Sequence, residues 1–92
     1  MTKFNQAKFE SKAKELVAEH LNYEADEKDV IDEKDVFIVW FSKVGSNAKA
    51  MLSSVTDNSY FEVTYFGEEG KYIVDEYDFA GYDEFHEEEE EL

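Results

Sequence analysis

Residues Val36 to Val44 read V-F-I-V-W-F-S-K-V, and this stretch decides the fold that the sequence predicts. Six consecutive residues, Val36 to Phe41, are large, apolar and either β-branched or aromatic, which suits a packed, pleated strand. Neither alternate set turns polar before Ser42 and Lys43. The pattern predicts a central strand, covered on both faces at its start and solvated at its end, with a helix laid across one face. The single tryptophan, Trp40, lies inside it.

Toward the C-terminus three more strands are expected. Gly45-Ser46-Asn47 supplies turn chemistry between two strand-like runs. Residues 48–55 alternate, with Ala50, Leu52 and Ser54 on one side and Lys49, Met51, Ser53 and Val55 on the other. Thr56-Asp57-Asn58-Ser59 reads as the next turn. Residues 60–66 put Phe61, Val63 and Tyr65 inward and Glu62 and Thr64 outward, and Gly67-Glu68-Glu69-Gly70 closes a tight hairpin. In Lys71 to Tyr77, Tyr72 and Val74 oppose Lys71, Ile73 and Asp75. Short loops between successive strands imply an antiparallel meander.

Toward the N-terminus, residues 2–21 lack Gly and Pro and are rich in Ala, Lys, Glu and Leu, all good helix formers. Phe9, Ala13, Leu16, Val17 and His20 form one apolar stripe at helical spacing, with His20 read as a core-edge residue. Between helix and strand lies a polar connection, residues 22–35. There Asp26-Glu27-Lys28-Asp29-Val30 recurs as Asp32-Glu33-Lys34-Asp35-Val36. Oxygen ligands at such density suit a divalent-cation loop. The glycine and distant glutamate of a calcium-binding loop are absent, so a solvated linker with a helical turn is the preferred reading. The class is therefore α+β: an N-terminal helix packed on a four-stranded antiparallel meander, followed by an acidic C-terminal tail or short helix. Residues 1–77 form the domain and residues 78–92 the tail. Phe79, Tyr82 and Phe85 recur every three residues, which fits a short helix docked by its aromatic edge, although Gly81 weakens it; the glutamate run 87–91 is expected to fray.

Composition bounds the function. A chain of 92 residues makes one domain that buries roughly 60–65% of its unfolded surface. Its formal net charge is −15, from 24 acids against nine lysines, with no arginine. Such a charge opposes direct binding to nucleic acid or to an anionic membrane and steers the chain toward basic partners. No cysteine is present, so disulfides and thiolate metal sites are excluded. No apolar run approaches the roughly 20 residues of a membrane span, and no signal-peptide core opens the chain. A cytoplasmic location is the expectation.

The residues of a catalytic centre are scattered. Ser42, Ser53 and Ser54 with His20 or His86 lack the context of a nucleophile and oriented base. The carboxylates lie in hydrophilic runs, and His86 beside Glu87 and Glu88 offers only a weak metal site. No glycine-rich phosphate loop exists. The sequence predicts no enzyme and no cofactor.

Charge points to binding. Residues 1–22 contribute +1, leaving −16 on residues 23–92. Duplex DNA carries about one charge per 1.7 Å of axis, and carboxylates at helical or cross-strand spacing lie roughly 5–6 Å apart. A compact acidic surface of this kind can occupy the cation-lined groove of a nucleic-acid-binding protein, as a nucleic-acid mimic. The partner-binding residues expected are Asp29, Asp32 and Glu33 in the connection, Glu68 and Glu69 in the hairpin, and Asp75, Glu76, Tyr77, Asp78, Phe79, Tyr82, Asp83, Glu84, Phe85, Glu87 and Glu88 toward the C-terminus. Their aromatics would supply anchors that charge alone lacks. The plainer reading is that acidity serves solubility while these aromatics close the core edge.

Asp35-Val36-Phe37-Ile38-Val39-Trp40, Asn47-Ala48-Lys49-Ala50-Met51-Leu52-Ser53-Ser54 and Tyr60-Phe61-Glu62-Val63-Thr64-Tyr65 together resemble a family of small uncharacterised proteins from phages and prophages of Gram-positive, Firmicutes-type bacteria. The likeness covers about residues 9–77, and the acidic tail after Asp78 departs from it. The family carries no assigned activity or catalytic residues. What the resemblance implies is context: small acidic phage proteins often block host defence or DNA-handling proteins, with anti-CRISPR and antirestriction proteins as examples. The expected function is then a non-enzymatic inhibitor of a basic nucleic-acid-handling host protein, such as a CRISPR effector, in the bacterial cytoplasm. The alternative is an accessory or structural phage module that acts through self-association.

Overall fold

A computed structural model describes residues 4–23, 30–55, 57–78 and 80–87. Helix α1 (Gln6–Asn22) is followed by a 3-10 turn (Glu33–Asp35) and four strands, β1 (Val36–Val44), β2 (Asn47–Ser54), β3 (Asp57–Phe66) and β4 (Lys71–Tyr77). The strands form one antiparallel sheet in the order β1-β2-β3-β4, an α+β meander. Gly45 and Gly70 take φ of 60° and 64° in the β1–β2 and β3–β4 turns, the left-handed conformation that glycine adopts without a steric cost.

Helix α1 begins where Asn5, in extended conformation, accepts the Lys8 backbone N–H on Oδ1 at 3.0 Å. Its buried stripe is Phe9, Ala13, Val17 and Ala18, with Leu16 half-buried and His20 at the rim. The stripe packs on Ala48, Ala50, Leu52, Phe61 and Val63, which the pleat of β2 and β3 sends to one face. Burying a side chain such as Phe9 or Val17 stabilises the fold by about 1.5–3 kcal/mol. At the hairpin end of the sheet an aromatic cluster closes the core: Tyr65 and Tyr72 stand 4.7 Å apart, and Phe4 and Phe41 lie within 6 Å of Phe9, at 5.9 and 5.6 Å.

The opening stretch needs correction. β1 pairs with β2 alone and is an edge strand, not a central one. Its register slips between Ile38, opposite Leu52, and Trp40, opposite Met51, so that Val39 is a bulge residue. The slip moves the inward set from Val36 and Ile38 to Phe41 and Lys43, and turns Val39 and Trp40 together to the outer side. An apolar run with no polar alternation is thus a bulged edge rather than a strand buried on both faces. Only Val36 is buried.

Two further expectations change. The turn at residues 56–59 is shorter, since β3 already starts at Asp57, opposite Ser54. Residues 80–87 contain no helix, and Tyr82 and Phe85 stand 77% and 89% exposed, so these rings do not dock on the core; Phe79 lies outside the described residues. Among the described residues no helix is long and apolar enough to cross a membrane.

Candidate functional site

One end of the domain gathers the ends of three elements. α1 stops there, β1 starts there, and β4 leaves there. Asn22, in the last turn of α1, holds the segment before β1: its amide donates to the Ile31 carbonyl and accepts the Ile31 N–H, both at 2.7 Å. That pair satisfies the backbone of Ile31 as a neighbouring strand would. On the opposite edge, His20 Nε2 meets Glu76 Oε1 at 2.9 Å, while its ring stands edge-on against Phe61 with centroids 5.7 Å apart. The last helical turn therefore ties down both edges of the sheet.

Between α1 and residues 30–33 runs an open groove of about 420 Å³. Ala18, Val30 and Ile31 contribute apolar walls, and Glu15, Glu19, Asp32 and Glu33 place four carboxylates around it. Lys12, 3.4 Å from Glu15, and Lys34, 3.9 Å from Asp32, are exposed pairs of the kind that contribute little. The 3-10 turn presents Asp32 and Glu33: Asp35 accepts the Asp32 N–H at 3.2 Å, and the Asp35 N–H returns to the Asp32 carbonyl at 2.9 Å. An apolar trough rimmed by carboxylates suits a long cationic side chain, whose methylenes lie on the floor while its guanidinium or ammonium meets the rim.

The residues expected at the site divide. Asp32 and Glu33 line the groove, and Asp75, Glu76, Tyr77 and Asp78 lie at the same end on the far edge, with Asp78 Oδ1 accepting the Ser59 hydroxyl at 2.9 Å. Glu76 is engaged with His20. Glu68 and Glu69 sit at the opposite end, in the β3–β4 turn, where Lys71 is 3.6 Å from Glu69. Asp83, Glu84 and Glu87 are exposed beyond β4, and Glu84 meets His86 at 2.9 Å. Asp29 and Glu88 lie outside the described residues. Glu15 and Glu19 were not among the expected site residues; on sequence they belong to the near-neutral helix, and only the return of the chain along α1 sets them beside Asp32 and Glu33.

For metal binding the described residues offer no assembled centre. No three of His, Asp and Glu converge at ligand spacing among them. Ser53 gives its hydroxyl to the Ser59 carbonyl at 3.0 Å, and both histidines face glutamates. One titration is displaced: burial, and then the neighbouring Tyr65, push the Tyr72 phenol above its ordinary 10.0. Tyr72 belongs to the aromatic cluster at the hairpin end and serves the core.

No curated protein and no solved structure matches the chain. The family DUF6275, described as a family of unknown function, matches residues 10–80, from the first turns of α1 to just past β4. The match spans all of α1 but its first four residues and the whole sheet, and the chain belongs to this family.

Proposed function

We propose that this chain is a non-enzymatic, phage-type inhibitor that uses the acidic end of its domain to bind a basic, nucleic-acid-handling host protein. The observation that carries the reading is where the charge sits. Residues 23–35 hold seven acids and two lysines, and residues 75–92 hold ten acids and no lysine. Together they account for the whole net charge of −15, because the +1 of residues 1–22 and the −1 of residues 36–74 cancel. Both segments join the domain at the same end, through α1 and β1 in one case and β4 in the other. A nearly neutral sheet thus has both acidic segments attached at one end, a layout that orients a molecule in the field of a basic groove.

The groove beside α1 gives that end a binding feature besides charge. An arginine or lysine of the partner enters between Glu19 and Asp32, and carboxylates of β4 and the tail meet further cations. The family resemblance to phage proteins supplies the context of host inhibition, an anti-CRISPR or other anti-defence role being its most specific form. Affinity capture from lysate of a Gram-positive bacterium at low and high salt tests the reading. The expected catch is a nucleic-acid-binding protein that is retained at low salt, released at high salt, and lost when Glu15, Glu19, Asp32 and Glu33 are changed to their amides. Capture that ignores both salt and the amide substitutions contradicts it.

A further inference from the structure

Helix α1 covers one face of the sheet; among the described residues no helix or strand covers the other. On it Phe37, Ser53, Tyr60 and Tyr77 form one row across all four strands, and Trp40, Met51, Glu62 and Asp75 form the next. The bulge turns Val39 outward beside Trp40, and Ile73 faces the same side of β4, beyond Asp75 and opposite Thr64. Phe37, Val39, Trp40, Tyr60, Ile73 and Tyr77 are each between 40% and 49% exposed. Large apolar side chains exposed in this number on one face mark an interaction surface.

Charge selects the occupant. Among the described residues the charged side chains of this face are Lys49, Lys71, Glu62 and Asp75, which sum to zero, and Lys49 meets Glu62 at 3.2 Å. A basic partner finds no complementary excess there. Two copies at −15 each repel wherever their acidic segments meet, and this neutral apolar face is where they approach without that cost.

We propose that the open face is a self-association surface on which two copies pack sheet against sheet, and that the neutrality of the aromatic face in an otherwise acidic chain selects it. The two-fold axis lies in the interface and runs across the strands, so the acidic end of each copy lies over the hairpin end of the other. An axis along the strands would stack the two acidic ends. Four strands about 4.8 Å apart, with seven or eight residues at about 3.3 Å each, give a footprint on the order of 500 Å² per copy. A pair then buries about 1,000 Å², the lower limit for a specific interface, and the association is weak and reversible. This surface meets the acidic end only at Asp75 and Tyr77, and neither proposal depends on the other.

Sedimentation equilibrium of the full chain, from micromolar to millimolar, tests the proposal with a built-in probe, since Trp40 is the only tryptophan. The expected result is a mass rising from 10.8 kDa toward twice that value, with a blue shift of Trp40 emission along the same concentration curve. Added salt strengthens the pairing by screening like charges, the opposite of its effect on a basic partner. Trp40→Lys and Ile73→Lys, on opposite edges, each abolish the doubling while far-UV circular dichroism is retained, and in Ile73→Lys the Trp40 emission no longer depends on concentration. A mass of 10.8 kDa throughout overturns the proposal. So does a doubling that survives both variants, an open-ended growth in mass, or an emission already blue-shifted in the monomer, which would mean that the chain covers its own face.

Discussion

His20 and Glu76 stand 56 positions apart in the chain and 2.9 Å apart in space, joining the last turn of α1 to the end of β4. Both side chains are more than a third exposed, so the charge of the pair is screened, and the edge contact of the ring with Phe61 carries much of its value. His20→Ala is expected to cost about 1–2 kcal/mol in urea unfolding through loss of ring contact and hydrogen bond together. Glu76→Gln, which keeps an acceptor, should cost less than about 1 kcal/mol. Equal losses from the two would mean that the carboxylate charge of Glu76, not the ring of His20, dominates.

The fold was legible because each element repeats its own period. β4 alternates Tyr72 and Val74 against Lys71, Ile73 and Asp75, and Phe9, Ala13 and Val17 fall on one helical stripe. What composition hides is parity. A single bulge at Val39 makes an edge strand read as one covered on both faces, and with it the open aromatic face goes unseen. The groove was half legible. Asp32 and Glu33 stood out in a charged repeat, whereas Glu15 and Glu19 sat in a helix whose lysines balance them. Aromatic spacing in the tail misled for a different reason: Tyr82 and Phe85 repeat at a helical interval, but their segment lacks the apolar partners and the length that hold a short helix.

The two hairpins lean on each other. Gly67 donates its N–H to Asn47 Oδ1 at 3.1 Å, and a Cβ built at Gly67 runs into the Ser46 carbonyl oxygen. Gly67→Ala must push two backbones apart and is expected to cost more than about 2 kcal/mol. Gly70→Ala meets no atom within 4 Å and pays only for its φ of 64°, about 1–2 kcal/mol. Thermal unfolding of the two variants should rank them in that order.

Alkaline stability should depend on Tyr72. Its phenol is pushed above 10.0 in the folded chain, so the folded state holds the proton more tightly than the unfolded state does. The stability this contributes is fully present below pH 10.0 and is lost as pH rises through the higher folded value. Tyr72→Phe should flatten the decline of melting temperature above pH 10 and remove the last phase of phenolate absorbance. A decline of unchanged steepness in that variant would assign the alkaline loss to other groups.

Crowded carboxylates at one end also set a salt response in the free chain. Changing Glu15, Glu19, Asp32 and Glu33 to their amides relieves like-charge repulsion around the groove. The variant should melt a few degrees higher than the parent at low salt, with the difference shrinking as salt is added. A difference that persists at high salt would place its origin in packing rather than charge.

The central claim is that the acidic end is the surface that binds, and the salt dependence of the captured complex tests it most directly. A plot of log affinity against log salt for the complex with the captured partner should fall steeply for the parent chain. The slope should be shallower for the amide variant of Glu15, Glu19, Asp32 and Glu33, and shallower again when residues 79–92 are removed. Affinity independent of salt, or a slope identical in all three chains, would contradict the account.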